Sequence, residues 1–236
     1  MMKKAFTLAE VLITLGIIGV VAALTMPSLI ANHKKKVYVT GLRKAVNTWN
    51  NGLKLMLVTD GVEYFNDTEF ARTLLEEGYG YGTVDLKQYP KALSILNKYI
   101  KMTPLNKTVN NIKNLDGSNA SGSDSSYVAS GTTPDGAFYS FKLDWIHFSP
   151  SYLETTMYGG TRSSINGVII VDVNGPKAPN IIGRDLFLIF IDVRGNIVFA
   201  GSQRDHELFG QSHYCDHGAS WGCTGHIAEK GWVMDY

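Results

Sequence analysis

Residues 6–31 read FTLAEVLITLGIIGVVAALTMPSLIA, and this stretch is the strongest structural signal in the 236-residue chain. Glu10 is its only charged residue. Because a helix rises about 1.5 Å per residue, the stretch is long enough to cross a hydrocarbon core about 30 Å thick. The apolar run of a secretory signal peptide is shorter, about 7–15 residues. We therefore predict a membrane-spanning helix, with an ordinary signal anchor as the alternative.

Glu10 places a carboxylate inside this otherwise apolar stretch. Such a charge costs about 2.5–3.5 kcal/mol on insertion scales, so it usually has a partner or a function. With its flanking residues, Glu10 resembles the prepilin N-terminal methylation motif of type IV pilins and type II secretion pseudopilins. The matching positions are Lys3, Lys4, Ala5, Phe6, Thr7, Leu8 and Glu10. Gly16, Gly19 and Pro27 also match small and kinking positions of the pilin helix.

The resemblance implies a processing site near the start of the chain. A prepilin peptidase would remove the leader peptide, residues 1–5, by cleaving between Ala5 and Phe6, and Phe6 would then be N-methylated. Family members usually have glycine where this chain has Ala5. The resemblance also implies that Glu10 attracts the N-terminal amine of a neighbouring subunit during assembly. In a low-dielectric bundle, this pairing removes the penalty of two separately buried charges.

The apolar stretch is followed by an amphipathic one. Pro27 lacks an amide hydrogen and predicts a kink or local unwinding. Beyond it, apolar side chains recur at helical spacing with basic and amide side chains between them. These apolar residues are Val37, Leu42, Val46, Trp49, Leu53 and Leu57. Asp60-Gly61 is typical of a helix end. We therefore predict one helix from about Phe6 to about Val58, with residues 6–31 as the membrane or filament-core half and residues 32–58 as the amphipathic half.

Residues 59–236 predict a globular α+β head. Helices are expected at 68–77 and 92–100, and the polar segment 114–133 is expected to be a mobile surface loop. Strands are expected at 137–146, 167–173, 185–192 and 197–200, the last two forming a hairpin. The predicted fold class is therefore α+β and pilin-like, with a long N-terminal helix packed on an antiparallel β-sheet.

Composition and motifs exclude several other classes of protein. The formal net charge of +1 provides no strong positive field, so no direct nucleic-acid partner is expected. The Gly/Tyr segment at 78–82 lacks the Lys-Ser/Thr ending of a phosphate-binding loop. Neither paired carboxylates nor a nucleophile elbow stands out in the sequence. We therefore expect no enzymatic activity and no obligatory cofactor.

The segment DVNGPKAPNIIGRD, residues 172–185, contains a candidate for calcium binding. Asp172, Asn174, Asn180 and Asp185 carry oxygen ligands, and some pseudopilins hold calcium in a C-terminal loop. The spacing departs from that of an EF-hand, because a glycine rather than a carboxylate occupies its twelfth position. The alternative is a structured turn in which Asn and Asp side chains bond to their own backbone.

Cys215 and Cys223 are the two cysteines of the chain. In an oxidising compartment they predict a disulfide, which resembles the C-terminal disulfide loop of many pilins. A zinc site is the alternative, since His213, His217 and His226 lie nearby. At the C-terminus, Trp232, Met234 and Tyr236 predict an apolar tail that docks on its own domain, with a partner-binding patch as the alternative.

The resemblance gives the chain an expected function and location. It implies a structural subunit of a type II secretion or type IV pilus-like filament, with a single pass through the bacterial inner membrane. The C-terminal head would lie outside the cytoplasm, and the subunit would enter a periplasmic or extracellular filament. Expected partners are the prepilin peptidase, other pilin-like subunits, the inner-membrane assembly platform and membrane lipid. The alternative is a membrane-anchored adhesin or ligand-binding protein whose head carries the function.

Overall fold

The computed structural model describes residues 7–80, 83–143, 165–209, 214–215 and 221–236. It divides into two compact units, with the boundary between Val37 and Tyr38. The long helix α1, Leu8–Asp60, contributes to both units, and the other elements belong to the second unit. Each unit is described by itself below.

Helix α1 agrees with the predicted helix to within two residues at each end, although Phe6 itself lies outside the described residues. It spans 53 residues and is followed by Gly61 at φ 67°, the left-handed conformation that glycine adopts after a helix end. The helix is continuous through Pro27, so local unwinding there is wrong, and the alternative of a kink stays a prediction. A proline removes one backbone hydrogen bond, and a helix of this length keeps its remaining bonds on either side.

The described part of the second unit contains four further α-helices, besides short 3-10 helices at Phe65–Asp67 and Gly122–Ser125. They are α2 (Glu69–Glu76), α3 (Pro90–Tyr99), α4 (Gln203–Phe209) and α5 (Cys223–Glu229). The first two were expected: the Thr68 hydroxyl accepts the amide hydrogen of Ala71 at 3.2 Å to begin α2, and Pro90 is the first residue of α3. Neither α4 nor α5 was expected, since each has only seven residues.

Six strands in the described residues form one antiparallel sheet in simple sequential order. They are β1 (Thr103–Asn110), β2 (Ser126–Thr132), β3 (Phe138–Lys142), β4 (Ile165–Asp172), β5 (Leu186–Asp192) and β6 (Ile197–Phe199). The last four confirm strands expected from the sequence within a few residues, except that residues 144–146 of the first expected strand lie outside the described residues. The arrangement confirms an α+β architecture with a long N-terminal helix and an antiparallel sheet.

Two expectations for the middle of the chain need correction. Residues 103–110 form β1, where no strand was expected, and the proposed mobile loop at 114–133 contains β2. Tyr127 and Ala129 of β2 are buried, and Tyr127 lies opposite Val109 of β1. The serine- and glycine-rich composition hides this strand, because pairing and burial of alternate side chains stabilise it.

The main core of the second unit lies between α1 and the sheet. Ten residues of α1 from Tyr38 to Leu57 are buried there. Trp49 is 2% exposed, and its ring centroid lies 6.0 Å from that of Tyr139 and 5.7 Å from that of Phe141. Both partner residues belong to β3. From Tyr38 to Leu57, α1 therefore packs on the face of the sheet, as its spacing predicts. Val37 was expected on the same apolar stripe, but it is 51% exposed.

Strand β5 is buried along its whole length. Phe187, Ile189 and Ile191 face the main core, whereas Leu188 and Phe190 belong to a smaller cluster on the other face of the sheet. Burial of both faces explains why the strand reads as a continuous apolar run instead of an alternating one.

The C-terminal tail docks on its own domain. Met234 is buried in the main core, and Trp232 and Tyr236 pack partly buried against it. The docking prediction is confirmed, and these side chains belong to the core of the head.

Candidate functional site

The first candidate site is the uncovered apolar surface of α1 in the first unit. By length and composition the helix is able to cross a membrane, and among the residues that the structure describes its most apolar 18-residue window is 0% buried. The large apolar side chains exposed there are Leu8, Val11, Leu12, Ile13, Leu15, Ile17, Ile18, Val20, Val21, Leu24, Met26, Leu29 and Ile30. A contiguous apolar surface of this size requires a lipid or protein environment.

Glu10 is tied to the start of α1 by reciprocal hydrogen bonds with Thr7. The Thr7 hydroxyl and amide donate to Glu10 Oε2 at 2.9 and 2.8 Å, and the Glu10 amide donates to Thr7 Oγ1 at 3.3 Å. This pattern is a capping box, with Thr7 as the N-cap and Glu10 three positions later. The role of Thr7 was missed in the sequence, although Thr-x-x-Glu before an apolar run is its recognisable signal.

The capping box determines where the carboxylate lies. It keeps Glu10 against the N-terminal turn of α1, where the helix dipole favours negative charge. It also satisfies backbone donors that have no partner within the helix. The expected cleavage and methylation residues, Ala5 and Phe6, lie outside the described residues. The partner of Glu10 in assembly therefore stays a prediction.

The second candidate is the connection between β4 and β5, residues 172–185. Both of its carboxylates bond within the chain. Asp172 Oδ1 accepts the Asn174 amide at 3.2 Å, and Asp172 Oδ2 accepts the Tyr127 hydroxyl at 2.6 Å. Asp185 Oδ1 and Oδ2 accept the amides of Ile181 and Asn180 at 2.6 and 3.0 Å. The structured-turn interpretation is confirmed.

Calcium binding in this connection stays a prediction. All four carboxylate oxygens already accept hydrogen bonds, so a cation would compete with the donors that hold the turn. Asn174 Oδ1 and Asn180 Oδ1 are buried and have no hydrogen-bond partner in the described residues. In that part of the chain, no group of three or more His, Cys, Asp or Glu side chains is placed to hold a metal.

Both carboxyl groups of the connection lie in the interior, and Asp172 and Asp185 are each 0% exposed. Burial raises the pKa of Asp172 to about 7; the Tyr127 hydrogen bond opposes this shift, and the nearby Asp185 charge adds to it. Burial also raises the pKa of Asp185, although hydrogen bonds from the backbone amides of Ile181 and Asn180 act to lower it. The connection therefore favours the protonated form of Asp172 more than water does.

Asp172→Asn is expected to stabilise the head at neutral pH and to weaken its pH dependence. The folded pKa of Asp172, about 7, lies above its ordinary 3.8, so the folded state holds a proton that the unfolded chain releases. Stability contributed by this group is complete below pH 3.8 and is lost as pH rises toward 7. The free energy of unfolding that this group contributes should fall by roughly 2–4 kcal/mol over this pH range. Denaturant unfolding of the full chain in detergent between pH 4 and about pH 8 measures it.

Asp135→Asn is the matched control for this measurement. Burial by itself raises the pKa of Asp135, but hydrogen bonds from Thr133 and Lys44 outweigh it and lower the pKa below its ordinary value. The loss of stability with rising pH should therefore persist in Asp135→Asn. An equally steep loss in Asp172→Asn would contradict the assignment to Asp172.

The cysteines form the disulfide that the sequence indicates, with an S–S distance of 2.06 Å. The bond joins Cys215 to Cys223, the first residue of α5. Because both sulfurs are used, the thiolate ligands that the zinc alternative needs are absent. His213 and His217 lie outside the described residues, and His226 Nε2 lies 2.7 Å from Asp235 Oδ1.

The helix that begins at Cys223 is pressed closely against the end of β6. The Gly225 amide donates to the Ala200 carbonyl at 2.8 Å, and a Cβ atom on Gly225 would lie 2.2 Å from the Ser202 nitrogen. Only glycine fits this approach. The close backbone contact attaches α5 to the end of β6, and the disulfide joins residue 215 to the start of α5.

An open groove of about 540 Å³ runs along β6 between α4 and α5. Its polar groups already bond to one another. The backbone amide of Gln203 donates to Glu229 Oε1 at 2.8 Å, and Arg204 forms an ion pair with Glu207 at 3.2 Å. Among the described residues that line the groove, these polar groups are therefore engaged with one another, and the ligand-binding alternative stays a prediction.

No family model, curated protein or solved structure matches this chain. Three features bear on its function: the residues of the N-terminal motif, the exposed apolar surface of α1, and the head with its internal disulfide.

Proposed function

We propose that the chain is a non-enzymatic, pilin-like subunit of a bacterial type II secretion or type IV pilus filament. The observation that carries the proposal is the division of α1 into two kinds of surface. Between Leu8 and Ile30 its large apolar side chains are exposed, whereas from Tyr38 to Leu57 one face of the helix is buried in the head. A subunit that exchanges lipid for neighbouring helices needs this division, because both environments are apolar.

Before assembly, the subunit spans the inner membrane once with its C-terminal head outside the cytoplasm. The Cys215–Cys223 disulfide supports this orientation, because disulfides persist in the periplasm and on the cell surface and are rare in the cytoplasm. The prepilin peptidase removes the leader by cleaving between Ala5 and Phe6, and Phe6 is methylated at its new amine.

In the filament, the apolar halves of α1 from successive subunits pack against one another. A Cβ atom added to Gly16 or Gly19 would meet nothing within 4 Å, so both positions are open to a neighbouring helix. Glycine at such positions allows close approach of helices in an apolar environment. The amine of a neighbouring Phe6 pairs with Glu10, and this pair sets the axial register between subunits.

Filament fractionation tests the proposal. An epitope-tagged chain, expressed in its native cell, is expected in the sheared or detergent-resistant filament fraction when the inner-membrane assembly platform is present. It is expected to remain in the membrane fraction when the platform is deleted. A chain that never leaves the membrane fraction, whether or not the platform is present, would contradict a role as a filament subunit.

A further inference from the structure

A cluster of basic residues follows the apolar part of α1 directly. Lys34, Lys35 and Lys36 are consecutive, and Lys34 and Lys36 are exposed. The helix carries no aspartate or glutamate from Val11 to Thr59. An ion pair between Lys34 or Lys35 and an acidic residue one turn away on the same helix is therefore impossible.

The helical geometry of this cluster limits what it can bind. Consecutive residues of an α-helix point about 100° apart, so three of them spread over about 200° around the axis. A folded protein approaches a helix from one side and meets only part of such a cluster. A layer of lipid headgroups surrounds the helix and meets all three lysines.

The position of the lysines along α1 matches the depth of such a layer. Residues 8–31 span about 36 Å, slightly more than the hydrocarbon thickness of about 30 Å. Lys34 to Lys36 begin three residues beyond Ala31, which places them about 5–8 Å further along the axis. The polar region on each side of a bilayer has a similar thickness, since the total is about 40–45 Å.

We propose that Lys34, Lys35 and Lys36 bind the phosphate groups of anionic phospholipids around α1. The inference rests on the membrane-spanning state proposed above. Long lysine side chains reach from the helix surface to headgroup phosphates, and basic residues beside a membrane span attract anionic lipid. This contact sets the depth of the subunit in the bilayer before it enters a filament.

Lipid selectivity in reconstituted vesicles tests this proposal. The full chain is placed in phosphatidylcholine vesicles that contain spin-labelled phosphatidylglycerol or spin-labelled phosphatidylcholine, and electron paramagnetic resonance measures the motionally restricted lipid. The wild type should favour phosphatidylglycerol severalfold, and K34Q/K35Q/K36Q should reduce this preference to about onefold. K34R/K35R/K36R should retain it, because arginine keeps the charge.

The matched control removes the same amount of charge from the head. K87Q/K91Q/K101Q replaces three exposed lysines and should keep the preference for phosphatidylglycerol. A preference that is unchanged in K34Q/K35Q/K36Q, or lost equally in the control, would overturn the proposal.

Alkaline carbonate extraction of the same vesicles separates this proposal from the proposed function. A wild-type chain that carbonate removes would overturn the membrane span and the lipid contact together. A chain that resists extraction but binds both labelled lipids equally would overturn only the lipid contact.

Discussion

Replacing Glu10 with alanine is expected to leave the subunit in the membrane and to stop its incorporation into filaments. Insertion becomes easier, because a carboxylate in the hydrocarbon costs about 2.5–3.5 kcal/mol. Assembly becomes harder, because the amine of each neighbouring Phe6 would be buried without a partner. Breaking a buried pair costs about 3–5 kcal/mol, so the filament fraction should fall by at least about 100-fold. Quantitative blotting of membrane and filament fractions measures both effects.

Glu10→Gln separates the charge from the helix cap. Glutamine serves a capping box as well as glutamate does, so the bonds with Thr7 can persist while the charge is lost. Thr7→Ala does the reverse: it removes the capping hydroxyl, at about 1 kcal/mol, and keeps the carboxylate. The pairing account expects Glu10→Gln to fail in assembly and Thr7→Ala to assemble with a modest loss. The opposite order would show that the cap, not the charge, is required.

Trp49→Ala is expected to destabilise the head by about 3–5 kcal/mol, the usual cost of truncating a buried aromatic side chain. Trp49 is 2% exposed and contacts the rings of Tyr139 and Phe141, so alanine would leave a cavity between α1 and β3. Denaturant unfolding of the full chain in detergent, followed by circular dichroism, gives the free energy of unfolding.

Two further variants show whether packing causes this loss. Val58→Ala truncates a side chain on the same helix that is 78% exposed, and it should change the free energy of unfolding by less than about 0.5 kcal/mol. Trp49→Phe keeps an aromatic ring and removes the buried Nε1 donor, which has no hydrogen-bond partner in the described residues. It should cost much less than alanine. Equal stability of Trp49→Ala and Val58→Ala would contradict the packing of α1 on the sheet.

Strong local patterns made α1 and the β5–β6 hairpin predictable. The apolar stretch of α1 is long and its buried face has helical spacing, while β5 is apolar throughout because both of its faces are covered. In contrast, β2 consists mostly of small and polar residues, and its stability comes from pairing with β1 and β3. Local composition indicated a loop there, since strand pairing with distant residues is invisible in a short window.

The candidate sites were predictable to different degrees. Glu10 was identified because a lone carboxylate in an apolar helix is unusual, and Thr7 was identifiable from the spacing of a capping box. The contact between Tyr127 and Asp172 joins residues 45 positions apart, so no local signal indicates it. That contact helps to hold the turn between β4 and β5, and calcium binding there stays a prediction.

Intact mass and N-terminal sequencing of the protein from its native cell, with and without the prepilin peptidase, test the central claim most directly. The account predicts a mature chain that begins at methylated Phe6, and a chain that keeps residues 1–5 when the peptidase is deleted. A chain that starts at Met1 in both strains, or one cleaved near Ala31, would contradict it. The protein would then be an ordinary anchored or secreted protein.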